Sequence, residues 1–220
     1  GRDLLAGSDG CGSEQRSFHV VDQWGAEVRQ NRLALGRLDG KELRQTTMAE
    51  FRRLIPESFI AKSNHQEGYI KFKPQYGGSE IFYGDMKEDR FNNINLGWFF
   101  IDQAEEIDVV RFELLVSRLR RQTPMFDEQG KVIGTAPTYG ILTFNPEGTN
   151  SYLWRYFHPD SPERPCVCGK DAGACKQHDF KLYQASTYDG LKAGFIPKSY
   201  VDGMLSVFPP DARRRYLEGA

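Results

Sequence analysis

An apolar run that stops on an acid is the tightest constraint in this chain. In Leu96-Gly-Trp-Phe-Phe-Ile-Asp-Gln-Ala-Glu-Glu-Ile107 the bulky residues Trp98 to Ile101 end at Asp102. Such a run reads as a strand buried on both faces of a parallel sheet. It puts Asp102 at the strand's carboxyl end, where open α/β sheets bind ligands. A carboxylate there suits hydrated Mg²⁺, which keeps most of its waters and needs only one or two protein carboxylates beside a phosphate. Glu105 and Glu106 follow within a turn, close enough to orient or deprotonate a water. The pattern is that of a Walker B element. It is also that of a plain buried strand leading into an acidic helix start, which the helix dipole favours.

The amino-terminal stretch is read against that acid. Leu4-Leu5-Ala6 has the character of a strand end, and Gly7-Ser-Asp-Gly-Cys-Gly-Ser-Glu14 is glycine-rich. Gln15 to Gln30 reads as a helix with Phe18, Val21, Trp24 and Val28 on one face. Strand, glycine loop and helix are the context a phosphate-binding loop requires, so Gly7, Gly10, Gly12 and Ser13 are candidate phosphate contacts. Gly7 and Gly12 fit G-x-x-x-x-G, but Ser13-Glu14 stands where Lys and then Ser or Thr belong. A carboxylate there repels phosphate. An ordinary strand-to-helix turn is the competing reading.

Further along, Asn31 to Leu38 reads as a strand, and Lys41 onward as a helix through Met48, Phe51 and Leu54 that ends near Pro56. Tyr69–Lys73 and Glu80–Gly84 alternate as a hairpin around Pro74 to Gly78. Arg52, Arg53, Lys62, Lys71 and Lys73 form either a DNA-facing patch or a solvated face. Val109 to Arg121 reads as a helix with Phe112, Leu115 and Leu119 inward and Arg118, Arg120 and Arg121 at its end. The dipole favours cations there; an arginine finger is the alternative. Thr138 to Phe144 reads as a strand stopped by Asn145-Pro146. Its end puts Thr143 and Asn145 in the same crevice as Asp102. Ser151 to Phe157 reads as a short helix on the sheet edge. Gln184 to Asp189 reads as strand-like, Ile196 onward as a helix broken at Pro209-Pro210, and Asp211 as the cap of a last basic helix.

Cys166, Cys168, Cys175 and His178 give C-x-C…C-x-x-H within one stretch. Four soft ligands with turn glycines between them suit a closed tetrahedral zinc site, and a metal would shape an insertion too short for its own core. A polar loop with free thiols is the other reading. The formal net charge of −1 leaves no global basic footprint, and no apolar run approaches a membrane span. With 220 residues, one mixed α/β domain with a small insertion is the economical organisation. The start at Gly1, with no initiator Met, reads as a fragment or trimmed chain.

The order of these pieces resembles the ATPase domain of the large terminase subunit of tailed bacteriophages, the motor that packages DNA into the prohead. The carriers are Leu35-Gly-Arg-Leu-Asp-Gly-Lys-Glu-Leu-Arg-Gln-Thr-Thr, Gly97-Trp-Phe-Phe-Ile-Asp-Gln-Ala-Glu-Glu-Ile, Ser117-Arg-Leu-Arg, Leu142-Thr-Phe-Asn-Pro, Ser186-Thr-Tyr-Asp and Ile196-Pro-Lys-Ser-Tyr. The resemblance spans nearly all of residues 1–220, with residues 160–181 as an insertion. It implies a RecA-like P-loop ATPase fold, a mostly parallel sheet flanked by helices, that binds ATP and Mg²⁺. It implies Asp102 as the Mg²⁺ ligand, with Glu105 or Glu106 as the base because Gln103 follows the aspartate. It implies Thr143 to Asn145 as the motif coupling hydrolysis to DNA movement, and Arg118 or Arg120 as a finger acting in trans. Double-stranded DNA, a portal protein, the small terminase subunit and a homo-oligomeric ring are the implied partners, in the host bacterial cytoplasm. No nuclease domain is expected in these residues. Because the phosphate-loop lysine is missing, a catalytically silent relative serving DNA binding or assembly is the rival expectation, and another P-loop motor such as a helicase a third.

Overall fold

In a computed structural model of the chain, residues 27–87, 90–163, 180 and 182–219 are described. A central sheet of six strands carries the fold. Its middle is β2 (Arg32–Arg37), flanked by β5 (Glu80–Asp85) and β6 (Trp98–Ile101), both parallel to it. Strand β9 (Tyr139–Leu142) pairs parallel with β6 and ends the sheet among the described residues. On the other side, β4 (Tyr69–Phe72) and β3 (Ile60–Asn64) add antiparallel strands, which makes the order β3-β4-β5-β2-β6-β9. The expected hairpin is β4–β5; β3 was not anticipated, because only its two end residues are even half-buried.

The parallel strands cluster because their inward residues are large and apolar. Ala34, Phe99 and Ile101 pack with Phe112 and Leu115 of α3 (Val109–Arg118) and Leu153 and Phe157 of α4 (Tyr152–Phe157). On the opposite face Leu33, Leu35, Ile70 and Ile81 pack with Leu43 of α1 (Gly40–Gln45) and Met48 of α2 (Thr47–Leu54). This second layer lies over β2, β4 and β5. Over β6 and β9 it is thin, so Trp98 and Phe100 are only half-buried, and Ile141 is 39% exposed. The expectation that β6 is buried on both faces is therefore corrected to one face. Trp98 stacks on Tyr139 there at 5.8 Å.

Close approach sets one glycine. A Cβ on Gly97 would lie 1.8 Å from Oδ1 of Asn31. That amide is buried and fixed, since Oδ1 accepts from the Arg32 amide at 2.8 Å and from Thr123 Oγ1 at 3.1 Å.

Four sequence expectations change. The helix expected to run to Gln30 is interrupted, because Glu27–Val28 form β1, which pairs with β7 (Pro124–Phe126) beside β8 (Val132–Thr135) in a second, three-stranded sheet. The rest of that helix lies outside the described residues. Gln184 to Asp189 is no strand: Ser186 and Asp189 form a capping box that starts α5 (Thr187–Lys192). Asp211 is not a cap but lies in the first turn of α7 (Pro210–Arg213), which follows α6 (Lys198–Val207) and runs into a π-helical turn, Arg214–Glu218. The arginine-tipped helix stops at Arg118 rather than Arg121, where Leu119 bridges to Leu96.

No helix among the described residues is long and apolar enough to cross a membrane. Phe99, 1% exposed, lies where β6 meets α3, and its ring fills the space that a side chain at Gly140 would take. Phe99→Ala is expected to lower unfolding stability by about 3–5 kcal/mol, read as a lower urea midpoint at unchanged slope; a midpoint within error of the parent would mean that the central packing is assigned wrongly.

Candidate active site

Register decides who stands at the carboxyl edge of the sheet. Arg37, the last residue of β2, pairs with Asp85, the last of β5. Gly36 pairs with Ile101, and Ile101 with Leu142. Asp102 and Thr143 thus come one step past their strands, side by side. Across the edge the order is Asp85, Arg37, Asp102, Thr143.

Asp102 is held by hydroxyls on both oxygens. Thr47 Oγ1 donates to Oδ2 at 2.6 Å, and Thr143 Oγ1 donates to Oδ1 at 2.8 Å. Its own amide donates to the Gly36 carbonyl at 2.9 Å. Thr47 reaches it because the helical run breaks at Thr46 (φ −112, ψ −86), so that Thr47 opens α2. One carboxylate beside two hydroxyl oxygens is a hard, oxygen-only donor set, which suits Mg²⁺. It is not a carboxylate cage: no group of three or more His, Cys, Asp or Glu that could hold a metal occurs among the described residues.

The turn after Asp102 sends its two glutamates different ways. Gln103 adopts a left-handed conformation (φ 51), and Ala104–Glu106 form a 3₁₀ turn. Glu105 faces Asn145, whose Nδ2 donates to Oε1 at 2.7 Å and whose amide donates to the same oxygen at 3.2 Å. The other oxygen of Glu105, Oε2, is buried and has no hydrogen-bond partner. A buried acceptor without a donor is costly and rare, so this oxygen stands out at the edge. Glu106 instead faces Arg37, with Oε1 3.4 Å from Nη2.

Arg37 ties this edge together. It is only 8% exposed. Its Nη2 donates to Gln103 Oε1 at 2.5 Å and lies 2.7 Å from Glu42 Oε2, and Nη1 donates to Thr46 Oγ1 at 3.3 Å. Burial alone would lower its pKa; the hydrogen bond to Glu106 and the charges of Glu106, Glu42 and Asp102 outweigh burial, and the guanidinium is held above its ordinary value.

A glycine–lysine pair, Gly40-Lys41, opens α1 just after β2. Its end of the helix is already taken by an anion. Asp39 accepts from the amides of Lys41 at 2.8 Å and Glu42 at 3.2 Å and pairs with Lys87 Nζ at 2.8 Å. The Lys87 hydrogen bond, then these amides, bring the Asp39 pKa down to about 2. The amides a phosphate would use are occupied by this carboxylate.

Of the residues singled out from sequence, Asp102, Glu105, Thr143 and Asn145 come together, with Glu106 turned aside. Arg118 and Arg120 do not join them. Arg118 closes α3 beside Leu96, at the amino end of β6, and Arg120 Nε donates to Asn95 Oδ1 at 2.6 Å. Arg52 and Arg53 lie on α2, where Arg52 meets His65 and Arg53 meets Glu50, whereas Lys62 and Lys71 pair across β3 and β4; the five basic residues are therefore not one patch. Gly7, Gly10, Gly12 and Ser13 lie outside the described residues, as do Cys166, Cys168, Cys175 and His178. Sequence reasoning gave no role to Arg37, Gln103 or Thr47. The Gly36-Arg37 strand end and the Thr46-Thr47 pair were the available signals, but only strand pairing and the Thr46 break bring them to Asp102.

No protein-family model and no curated protein matches this sequence. Solved structures do match in fold. The large terminase from a thermophilic bacteriophage superimposes with TM-score 0.64 at 11% identity, covering 87% of this chain and 41% of that one. The same protein in complex with ADP matches with TM-score 0.61 at 11% identity, and in complex with ATP-gamma-S with 0.55 at 12%; each covers 87% of this chain and 40% of that one. The chain thus spans about two fifths of the terminase chains it matches. At these identities the likeness shows the fold, a mixed α/β architecture with a mostly parallel central sheet.

Arg37→Met would leave Glu106, Glu42 and Gln103 around a buried apolar side chain. It is expected to cost about 2–3 kcal/mol of stability, below the cost for a fully buried pair because both glutamates are partly solvated. Glu106→Gln should cost less, since Arg37 keeps Glu42. Equal urea midpoints for Arg37→Met and parent would refute the clamp.

Proposed function

We propose that this chain is the ATPase module of a phage-type large terminase, a RecA-like P-loop domain that couples ATP hydrolysis to translocation of double-stranded DNA. The observation that carries the reading is Asp102, held between Thr47 and Thr143 at the carboxyl ends of adjacent parallel strands, with a free Glu105 oxygen beside it. The terminase likeness in fold, which includes nucleotide-bound forms of that protein, supports it.

In this reading Asp102 and the Thr47 hydroxyl would hold Mg²⁺. The ion, when bound, neutralises charge on the phosphates. Glu105 takes the proton of the attacking water on Oε2, while Asn145 fixes the carboxylate through Oε1. Water oxygen bonds to the γ-phosphorus, the bond to the β–γ bridging oxygen breaks, and ADP and phosphate leave. Glu106, bound to Arg37, serves position rather than proton transfer. Arg118 and Arg120, at the opposite edge, would serve another subunit's nucleotide in a ring. The portal protein and the small subunit are partners of that assembly, in the host bacterial cytoplasm.

The Ser13-Glu14 pair favours one rival, a silent relative that keeps the fold for DNA binding or assembly. Calorimetry with Mg-ATP separates the two. The motor reading expects binding by the parent, loss of it in Asp102→Ala, and in Glu105→Gln retained binding with turnover reduced at least about 100-fold. No binding by the parent would leave the silent relative standing; parental turnover in Glu105→Gln would remove Glu105 as the base.

The cysteine–histidine spacing supports a structural zinc in the 160–181 insertion. Metal analysis of purified protein should find about one zinc per chain, lost on Cys166→Ser; a metal-free parent would end the idea.

A further inference from the structure

The outer strands leave one sheet face with a row of cations. Arg32, Glu80, Lys71 and Lys62 are register partners across β2, β5, β4 and β3, so they stand on one face in one line. That face is the one α3 and α4 cover farther along the sheet, since Ala34 and Phe99 belong to it. Glu80 is the only acid in the row and is fully subscribed. It lies 2.8 Å from Arg32 Nε and 3.4 Å from Lys71 Nζ, and it accepts from Tyr69 Oη at 2.9 Å. Both cations keep much of their surface, with side-chain exposures of 40% for Arg32 and 45% for Lys71.

Two further cations add to the row without an ion-pair partner of their own, although the Glu80 charge also reaches Arg121. Lys62 is exposed and directly opposite Lys71, a like-charge pair that works against the hairpin. Arg121 sits at the Arg32 end, its Nη2 donating to the Gln30 carbonyl at 2.6 Å and its Nε buried with no acceptor. Burial and then the neighbouring Arg32 charge lower its pKa. No carboxylate lies within ion-pair distance of Lys62 or Arg121 among the described residues. Four cations stand against one carboxylate, and a polyanion is the partner that complements such a row.

We propose that the row Arg121–Arg32–Lys71–Lys62 is a docking surface for the phosphate backbone of double-stranded DNA. The row spans about 14 Å from β2 to β3 at the usual strand spacing, about four steps of phosphate rise along one DNA strand. It is flat and offers no helix to enter a groove, so it reads backbone charge and not sequence. The charge row carries the surface; the choice of DNA as the polyanion rests on the motor reading above.

The test is fluorescence anisotropy of the full chain with a labelled 20-base-pair duplex, titrated at several salt concentrations. Lys62→Gln, which touches neither the core nor Asp102, is expected to weaken binding about fivefold at 0.15 M salt and to lower the salt slope by about 0.9. Lys62→Arg should restore both. Lys192→Gln, on α5, should change neither. Unchanged affinity and slope in Lys62→Gln would overturn the surface, as would a parent that binds heparin or single strands but not duplex. Mg-ATP binding measured without DNA keeps the two readings apart: Lys62→Gln should bind nucleotide as the parent does, and a failed ATPase with a Lys62-dependent duplex signal would sink the motor while leaving this surface in place.

Discussion

One buried positive charge organises the carboxyl edge of this sheet. Arg37 sits on the central strand between two parallel neighbours, and the groups after β6 arrange themselves around it. A guanidinium taken out of water must be met on several sides at once. Glu42 meets it from α1, Thr46 from the helix break, and Gln103 and Glu106 from the turn after Asp102. Meeting it with Gln103 goes with the left-handed backbone at that residue, an uncommon state for a side chain with a Cβ. Glu106 then points back toward β2 and Glu105 toward Asn145. The division of labour between two adjacent glutamates, which identical side chains could never announce, thus follows from where a neighbouring strand puts its arginine.

The same edge carries a single aspartate. The ends of β6 and β9 and the start of α2 bring one carboxylate and two hydroxyls into contact, and Asn145 meets Glu105 beside them. A multi-carboxylate cage would bind a cation tightly and hold it. A lone carboxylate with hydroxyl neighbours would instead leave most of a hydrated ion's shell to water. The hydroxyls meanwhile satisfy Asp102 itself, so the carboxylate does not stand unpaired in a half-buried edge.

Much of this was legible in the sequence, for reasons that differ by element. Trp98–Ile101 is a run of large apolar residues and Leu33–Leu35 a shorter apolar stretch between two arginines, and burial in a parallel sheet favours such runs. The β4–β5 hairpin showed as alternation, and α3 as a periodic apolar face. By contrast β7 and β8 are short, and β8 is exposed, with Val132 and Ile133 at 55% and 50%, so nothing in their pattern marked them. The Ser186–Asp189 stretch was misread because its capping box lies in four residues that also have strand-forming neighbours. Asp102, Thr143 and Asn145 could be placed because each lies at or just past the carboxyl end of a strand. Thr47 could not, since its position depends on a helix break at Thr46 that no capping residue signals.

Strand β2 carries a cation at each end, Arg37 on the edge with Asp102 and Arg32 in the row with Lys71. The two are five residues apart, about 17 Å along an extended strand. This strand is paired on both sides over most of its length and packed on both faces, so it has no second arrangement to adopt. Energetic coupling between the edges needs an element that does have two arrangements. The backbone offers two such places at the site, the Gln103 turn and the Thr46 break, and each is held by Arg37 through a side-chain hydrogen bond and not by the sheet ladder. The two irregular backbone segments of the site thus hang on Arg37, whereas the strands they flank are fixed by their own ladders.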